Sequence, residues 1–370
     1  MELPVMPPVR PMLAKAVKGV PDPAKFDDGL LFEPKWDGFR CLVFRDGDEI
    51  ELTSRNTKPL TRYFPEMVAA VREQLPERCV LDGELFVAHG GRLRFESLQE
   101  RIHPAASRVA TLAEATPAGF VAFDVLALGD DDLSGRPFAE RRARLAEALS
   151  PLVGTGGPTY LTRTTTDPEV AQRWFEQFEG AGLDGVIAKP LGARYAQNTR
   201  TMMKIKHERT ADVVVAGYRL HKTSTPEQPL LGSLLLGLQD EAGRLQHVGV
   251  AASFTARRRA ELLEELRPLE TDVGEHPWSE WADWAIANPD RVPGTQSRWS
   301  AGKDLSFVPL RPERVLEVGY DHMEGARFRH TAQFKRWRPD RDPASCGYDQ
   351  LEEPVRYDLA EVLGGRVRTE

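Results

Sequence analysis

Up to about residue 210, apolar residues occur as short runs that are separated by polar and glycine-containing segments. Runs of this length are typical of buried strands, and apolar residues spaced three or four positions apart indicate helices. The predicted strands are 30–32, 41–44, 49–53, 79–87, 120–127, 186–189 and 203–206. The predicted helices are 63–74, 140–149 and 169–180. Asp37-Gly38 is expected to turn the first strand back onto the second as a hairpin.

After residue 210 the pattern changes to short strands separated by glycines and turn residues. We predict strands at 212–218, 230–238, 245–252, 314–320 and 327–334, and helices at 255–266 and 359–363. Strands, one helix and further strands indicate a small barrel of the oligonucleotide-binding (OB) type. The loop-like stretch 271–312 contains Trp278, Trp281, Trp284 and Trp299. The spacing of the first three favours packing, with stacking on nucleic-acid bases as the alternative.

Length and composition fit a two-domain globular protein. The chain has 370 residues, of which 41% are hydrophobic, and this is enough for two cores. The formal net charge of -7 argues against a wholly basic nucleic-acid binder. Any site for a polyanion must therefore be local.

The sequence favours a reducing, cytoplasmic location. Its three cysteines, Cys41, Cys79 and Cys346, are scattered and odd in number, which indicates neither a disulfide framework nor a cysteine-based zinc site. The amino terminus lacks the apolar core of a signal peptide, and no stretch has the length that a bilayer requires. We expect no membrane partner.

Lys35 is the candidate nucleophile because it lies between Glu33 and the Asp37-Gly38 turn. A lysine amine attacks an electrophile only when it is deprotonated, so burial or nearby cations must favour the neutral form. Arg40 is a candidate neighbouring cation. The alternative is a solvated lysine on a surface hairpin.

Three other polar groups stand out. Asp82 and Glu84 flank a glycine inside a buried strand, which favours a metal or ribose role over an ordinary turn. Lys204 and Lys206 alternate with apolar residues, so both fall on one strand face and suit a phosphate chain, although an edge strand protected by lysine is as good an explanation. The arginines of helix 140–149 are expected on a solvated face.

In their order along the chain these segments resemble the ATP-dependent DNA ligases, which are covalent nucleotidyltransferases. The resemblance spans residues 10 to 343, and within the family the chain looks most like stand-alone bacterial ligase C. Seven segments carry it: Lys35-Trp36-Asp37-Gly38, Ser54-Arg55-Asn56, Asp82-Gly83-Glu84, Phe123-Asp124-Val125-Leu126, Asp184-Gly185-Val186-Ile187-Ala188-Lys189, Lys204-Ile205-Lys206 and Arg336-Trp337-Arg338-Pro339-Asp340.

The resemblance implies an α+β fold in two domains. Residues 1–210 would form a nucleotidyltransferase (adenylation) domain of antiparallel sheets with helices, 211–343 an OB-fold β-barrel, and 344–370 a carboxy-terminal tail. Three departures from the family pattern are Asp184 where glutamate is usual, Met203 where an aromatic residue is frequent, and Arg341 in place of a terminal lysine.

The resemblance also implies a set of site residues. Lys35 would attack ATP and carry AMP, and Mg²⁺ or Mn²⁺ would be held by Glu84 and Asp184. Arg336, Arg338 and Asp340 would close over the pyrophosphate. The residues implied in ATP binding are Glu33, Lys35, Arg40, Arg55, Glu84, Phe123, Arg200, Lys204 and Lys206.

The implied substrate is nicked double-stranded DNA, sealed in DNA repair, and the enzyme is expected to be a monomer. A primase-polymerase or an end-binding factor is the kind of protein partner that the resemblance suggests. Two alternatives remain open at this point. One is an RNA ligase or a capping-type nucleotidyltransferase, and the other is a noncatalytic OB-fold module that binds nucleic acid.

Overall fold

The computed structural model describes residues 1–103, 105–272, 274, 276–279, 307–351 and 355–364. The chain divides into two compact units. Unit 1 comprises Met1–Lys206 together with the described carboxy-terminal residues, and unit 2 comprises the described residues from His207 to 351. The residues expected to form a separate tail are thus divided between the two units.

Unit 1 combines helices with strands of very different length. Its helices are α1 (Pro65–Gln74), α2 (Phe95–Glu100), α3 (Ala106–Ala115), α4 (Phe138–Ala148) and α5 (Pro168–Gln177). Its strands are β1 (Leu13–Ala16), β2 (Leu30–Pro34), β3 (Phe39–Asp46), β4 (Glu49–Ser54), β5 (Arg78–His89), β6 (Arg92–Leu93), β7 (Ala118–Leu128), β8 (Asp131–Asp132), β9 (Thr159–Leu161), β10 (Val186–Pro190) and β11 (Arg200–Ile205).

The strands of unit 1 form two sheets. The first has the order β1-β11-β10-β2, and the second has the order β4-β3-β5-β7-β8, with β6 on β5 and β9 on β7. Most pairs are antiparallel, while β1 with β11 and β9 with β7 are parallel. The predicted hairpin at Asp37-Gly38 is wrong, because β2 pairs with β10 in one sheet and β3 pairs with β4 and β5 in the other. Lys35 therefore lies in the segment that links the two sheets.

Apolar side chains join the two sheets. Leu42 and Phe44 of β3 pack in one buried cluster with Met202 of β11 and with Met12 of the amino-terminal segment. Helix starts agree with the sequence signals, since α1 begins at a proline and the Asp167 side chain accepts from the Glu169 amide at the start of α5. The linking segment is thus anchored on both sides.

Unit 2 contains one long antiparallel sheet and one described helix, α6 (Ala256–Leu266). Its strands are β12 (Arg209–Leu220), β13 (Leu231–Gln239), β14 (Leu245–Ala251), β15 (Val308–Tyr320), β16 (Met323–Glu324), β17 (Arg327–Phe328) and β18 (Gln333–Trp337). The five-stranded sheet has the order β14-β13-β12-β15-β18. Its edges meet where the Ala332 amide donates to the Val250 carbonyl at 2.8 Å, a single bridge that leaves the described sheet otherwise open. A partly open five-stranded barrel is usual for the OB fold.

The prediction that the tryptophans of 271–312 pack in a core can be checked only for Trp278. Trp278 is buried in the core of unit 2 and its indole N–H donates to the Leu245 carbonyl at 2.8 Å, which confirms packing. Trp281, Trp284 and Trp299 lie outside the described residues.

The carboxy-terminal segment returns to unit 1 and contains helix α7 (Leu359–Leu363), as predicted. The three cysteines are free and buried. In the described parts of the chain we find no helix with the length and apolar character needed to cross a membrane.

Candidate active site

Lys35 is paired with a carboxylate that a second lysine shares. Its Nζ lies 2.5 Å from Oδ2 of Asp184, and Nζ of Lys206 lies 2.8 Å from the same oxygen. Burial opposes ionisation of Asp184, but the two ammonium groups outweigh it and lower the pKa of this carboxyl. Two of the sequence-predicted basic residues and one predicted acid therefore form one cluster.

The backbone around Gly185 holds this cluster in place. The Lys35 amide donates to the Gly185 carbonyl and the Asp184 amide donates to the Lys35 carbonyl, both at 2.9 Å. Gly185 has a φ of 112°, and a Cβ atom there would collide with the Ile205 carbonyl oxygen. Only glycine fits this position, so the chain can bring Asp184 beside Lys35.

Arg40 is fixed by a buried acid on the next strand. Its Nε and Nη2 donate to the two carboxylate oxygens of Asp82 at 2.5 and 2.6 Å. The Tyr195 hydroxyl donates to Oδ2 of the same carboxylate at 2.6 Å. Asp82 is fully buried, so these donors replace the water that its charge would otherwise require.

Glu84 lies opposite Arg40 in the register of β3 and β5, on the same sheet face as Asp82. One of its oxygens accepts from the Gly38 amide at 3.2 Å. Burial raises the pKa of Glu84 to about 7, although Arg40 and Lys35 oppose the change. This carboxyl is therefore poised between its charged and neutral forms near neutral pH.

Phe123 and Glu33 form a second part of the site with Lys189. Lys189 Nζ lies 2.7 Å from Oε2 of Glu33, and both Lys189 and Arg40 lie within 5 Å of the Phe123 ring centroid, at 4.7 and 4.6 Å. Burial raises the pKa of Glu33 although Lys189 opposes it. Oε1 of Glu33 is buried without a hydrogen-bond partner in the described structure. That oxygen is a free acceptor, as recognition of an amino group would require.

The remaining predicted ATP-binding residues lie further out. Burial and the neighbouring cations Lys206 and Lys35 lower the pKa of Lys204, so this lysine lies within the same positive field. Arg55 is exposed after β4 and lines a cleft of about 300 Å³ with Arg10 and Asn198. Arg200 is exposed at the start of β11, four residues before Lys204 and so about 13 Å along the strand.

Arg336, Arg338 and Asp340 lie in unit 2, where they form an ion-pair network. Arg338 donates through Nη1 to both oxygens of Asp212, at 3.0 and 2.9 Å, and through Nη2 to Asp340 at 2.8 Å. The Arg338 hydrogen bond lowers the pKa of Asp340 to about 2. Arg336 pairs with Glu317 at 2.7 Å.

The expectation of a solvated arginine face on helix α4 is wrong for Arg141. Its guanidinium is fully buried and donates to both oxygens of Asp124, at 2.8 and 2.9 Å. A buried carboxylate needs a compensating charge, and helix periodicity alone does not reveal that partner. Tyr195 was not predicted either, since nothing in its local sequence marks it as a ligand of Asp82.

Glu84 and Asp184 are candidate ligands for a magnesium-type ion because of their chemistry. Among the described residues no group of three or more histidine, cysteine or acidic side chains could hold a metal. Mg²⁺ is usually held by one or two carboxylates together with substrate phosphates, so Glu84 and Asp184 have the appropriate chemistry. A nearby divalent cation would also favour the ionised form of Glu84.

The fold places one lysine among acidic side chains and further cations, which is the arrangement expected of a covalent nucleotidyltransferase. Comparison with known proteins supports this class. The family described as ATP dependent DNA ligase domain matches residues 11–206, and the ATP dependent DNA ligase C terminal region matches 227–341. DNA ligase C of Mycobacterium tuberculosis is 58% identical over 369 residues, which cover 99% of each chain.

Two further relatives extend the comparison. DNA ligase C2 of Mycolicibacterium smegmatis is 59% identical over 357 residues, or 96% of this chain and 97% of the relative. A solved structure of a Lig E DNA ligase has a TM-score of 0.52 at 17% identity, covering 88% of this chain and 99% of that one, and shows the same fold. The chain therefore belongs to the ATP-dependent DNA ligases. The predicted α+β fold, the DNA ligase activity, the use of ATP and the resemblance to ligase C are confirmed.

Proposed function

We propose that Lys35 is the nucleophile that takes AMP from ATP. Nζ would form a bond to the α-phosphorus, the bond from that phosphorus to the bridging oxygen would break, and pyrophosphate would leave with the bonding electrons. The observation that carries the proposal is the 2.5 Å contact between Lys35 Nζ and Asp184. This carboxylate is the group within reach of the proton that the ammonium must lose before attack.

The cations around Lys35 have a role in neutralising the triphosphate. Lys206, Lys204 and Arg40 would contact phosphate oxygens, where fixed positive charge stabilises the developing negative charge. Glu84 and Asp184 would hold Mg²⁺ or Mn²⁺, which supplies Lewis-acid stabilisation of the phosphates when bound. Asp184 would then bind the ion in place of one of its contacts with Lys35 and Lys206.

The adenosine would be recognised by Glu33, Phe123, Arg55 and Arg200. The unpartnered Oε1 of Glu33 is suited to accept from the amino group of adenine. Phe123 is only 7% exposed beneath Arg40 and Lys189, so stacking on the base requires one of these cations to move aside. Arg336 and Arg338 would bind the departing pyrophosphate, and Asp340 would orient Arg338 for that role.

The second and third steps would join DNA. AMP would pass from Lys35 to the 5′-phosphate of a nick in duplex DNA, and the 3′-hydroxyl would then displace AMP and seal the strand. We assign adenylation to residues 1–210 and an OB-fold role in DNA contact to 211–343. A monomeric state, a cytoplasmic location and a primase-polymerase or end-binding partner stay predictions.

The test is covalent labelling of the full chain with ATP that carries label on the α-phosphate. Lys35→Ala is expected to abolish labelling and to leave sealing of a pre-adenylated nick measurable. Lys25→Ala, at an exposed lysine, is the matched control and should label normally. Persistent labelling of Lys35→Ala would refute the assignment.

A further inference from the structure

We propose that the carboxy-terminal segment 355–364 is a positioning element of the adenylation site. It would act through Trp36, the residue that follows Lys35, and the inference rests on the proposed role of Lys35 as nucleophile. Residues of this segment lie far from Lys35 in sequence but in the same compact unit. Apolar packing and hydrogen bonds connect the two.

The segment is ordered by packing rather than by its own helix. Helix α7 has five residues, too few to persist alone in water. Its Leu359 and Val362 are 0% and 1% exposed and belong to the same buried apolar cluster as Trp36 and Phe178. Burial of two such apolar side chains holds the short segment against unit 1.

The surface that receives the segment is shaped for it. Gly180 lies directly against the segment, and a Cβ atom there would collide with the Val355 carbonyl oxygen and approach the Tyr357 nitrogen to 2.6 Å. The Phe178 and Tyr357 rings pack with centroids 5.2 Å apart, and the Leu359 amide donates to the Gly91 carbonyl at 2.8 Å.

Two consecutive residues connect the segment to Trp36 by hydrogen bonds. The Trp36 indole N–H donates to Oγ1 of Thr162 at 2.9 Å. The next residue, Arg163, donates through Nη2 to the Glu361 carbonyl at 2.5 Å. Displacing the segment would therefore loosen both the apolar cluster that contains Trp36 and the residues after β9 that hold its indole.

Loss of the contacts that hold Trp36 would displace Lys35, because the two residues are joined by one peptide bond. Trp36 is 6% exposed, so its ring fixes the backbone beside Lys35. The two Lys35 backbone hydrogen bonds to residues 184 and 185 depend on that backbone position. Misplacement of a reacting group by about 1 Å can cost on the order of 10²-fold in rate. We therefore expect adenylation to depend on residues 355–364.

The experiment uses two full-length variants and one control. Gly180→Ala pushes on the segment backbone, and Leu359→Asp places a charge in its apolar contact. Gly135→Ala is the matched control, because a Cβ atom there meets nothing within 4 Å. Three quantities are measured: hydrogen exchange of residues 355–364 and 30–40 by mass spectrometry, adenylation kinetics with ATP, and sealing of a pre-adenylated nick.

In both variants, hydrogen exchange in residues 355–364 and 30–40 should be faster than in the wild type. Adenylation at saturating ATP should be at least about 10-fold slower. KM for ATP and sealing of the pre-adenylated nick should change less than about 3-fold, and the control should match the wild type. Three results would overturn the inference. The first is faster hydrogen exchange at 355–364 with normal exchange at 30–40 and normal adenylation. The second is normal exchange at 355–364 in both variants, and the third is a loss of sealing as large as the loss of adenylation. If the wild type carried AMP on another residue, the proposed nucleophile would fail instead, while the exchange data would still report on the support of residues 30–40.

Discussion

The Tyr195 hydroxyl donates a 2.6 Å hydrogen bond to the buried carboxylate of Asp82. That carboxylate also accepts two hydrogen bonds from Arg40, so three donors converge on one acid. Tyr195 contacts neither Lys35 nor a predicted phosphate site in the described contacts, and its expected role is to orient Arg40 through Asp82.

Tyr195→Phe removes only the hydroxyl, so we expect adenylation to slow by about 3- to 10-fold and stability to fall by about 1–3 kcal/mol. Tyr218→Phe is a matched control because the Tyr218 hydroxyl donates to Glu270 at the same 2.6 Å in unit 2. The control should lose stability without losing adenylation rate. Equal adenylation rates in the two variants would rule out an orienting role for Tyr195.

Asp184→Asn should slow adenylation by roughly 100-fold, because the amide removes the charge that aligns Lys35 and Lys206. Asp184→Glu keeps the charge and adds one methylene, so it should retain activity within about 10-fold of the wild type. Single-turnover labelling with ATP measures both rates. Asp130→Asn, at a side chain that is 92% exposed and pairs with Arg78, serves as control. A normal rate in Asp184→Asn would show that the cluster only stabilises the resting protein.

Sequence patterns predicted most elements and the site lysines because those features are local. The runs around Phe123 and Val186 are strands for the reason that their residues alone suggest, and Met203 and Ile205 are buried as the alternation requires. Pairing between distant segments is a different matter. The link between β2 and β3 resembled a hairpin, since local patterns do not say which strands are neighbours. The docking of residues 355–364 was likewise not predicted.

Arg141→Met should destabilise unit 1 by about 3–5 kcal/mol, because Asp124 would keep a buried charge without a partner. Arg144→Met on the same helix breaks an exposed pair with Asp131 and should cost no more than about 1 kcal/mol. Denaturant unfolding measures the difference. Adding Asp124→Asn to Arg141→Met should recover part of the loss, and a double variant that is no more stable than Arg141→Met would contradict the pairing explanation.

Glu84 should make stability depend on pH in the opposite sense to an ordinary paired carboxylate. Burial raises its pKa from the ordinary 4.5 to about 7, so its favourable contribution is present below pH 4.5 and is lost as pH rises through 7. Glu84→Gln resembles the neutral form. It should match the wild type near pH 4 and be more stable at pH 8, by at most about 3 kcal/mol.

Glu261→Gln is the contrasting control, because pairing with Arg257 lowers the pKa of Glu261 and its removal should reduce stability at pH 8. Thermal unfolding of the three proteins between pH 4 and pH 8 measures both trends. A Glu84→Gln protein that gained no stability at pH 8 would show that ionised Glu84 does not destabilise the folded protein, which would contradict the prediction.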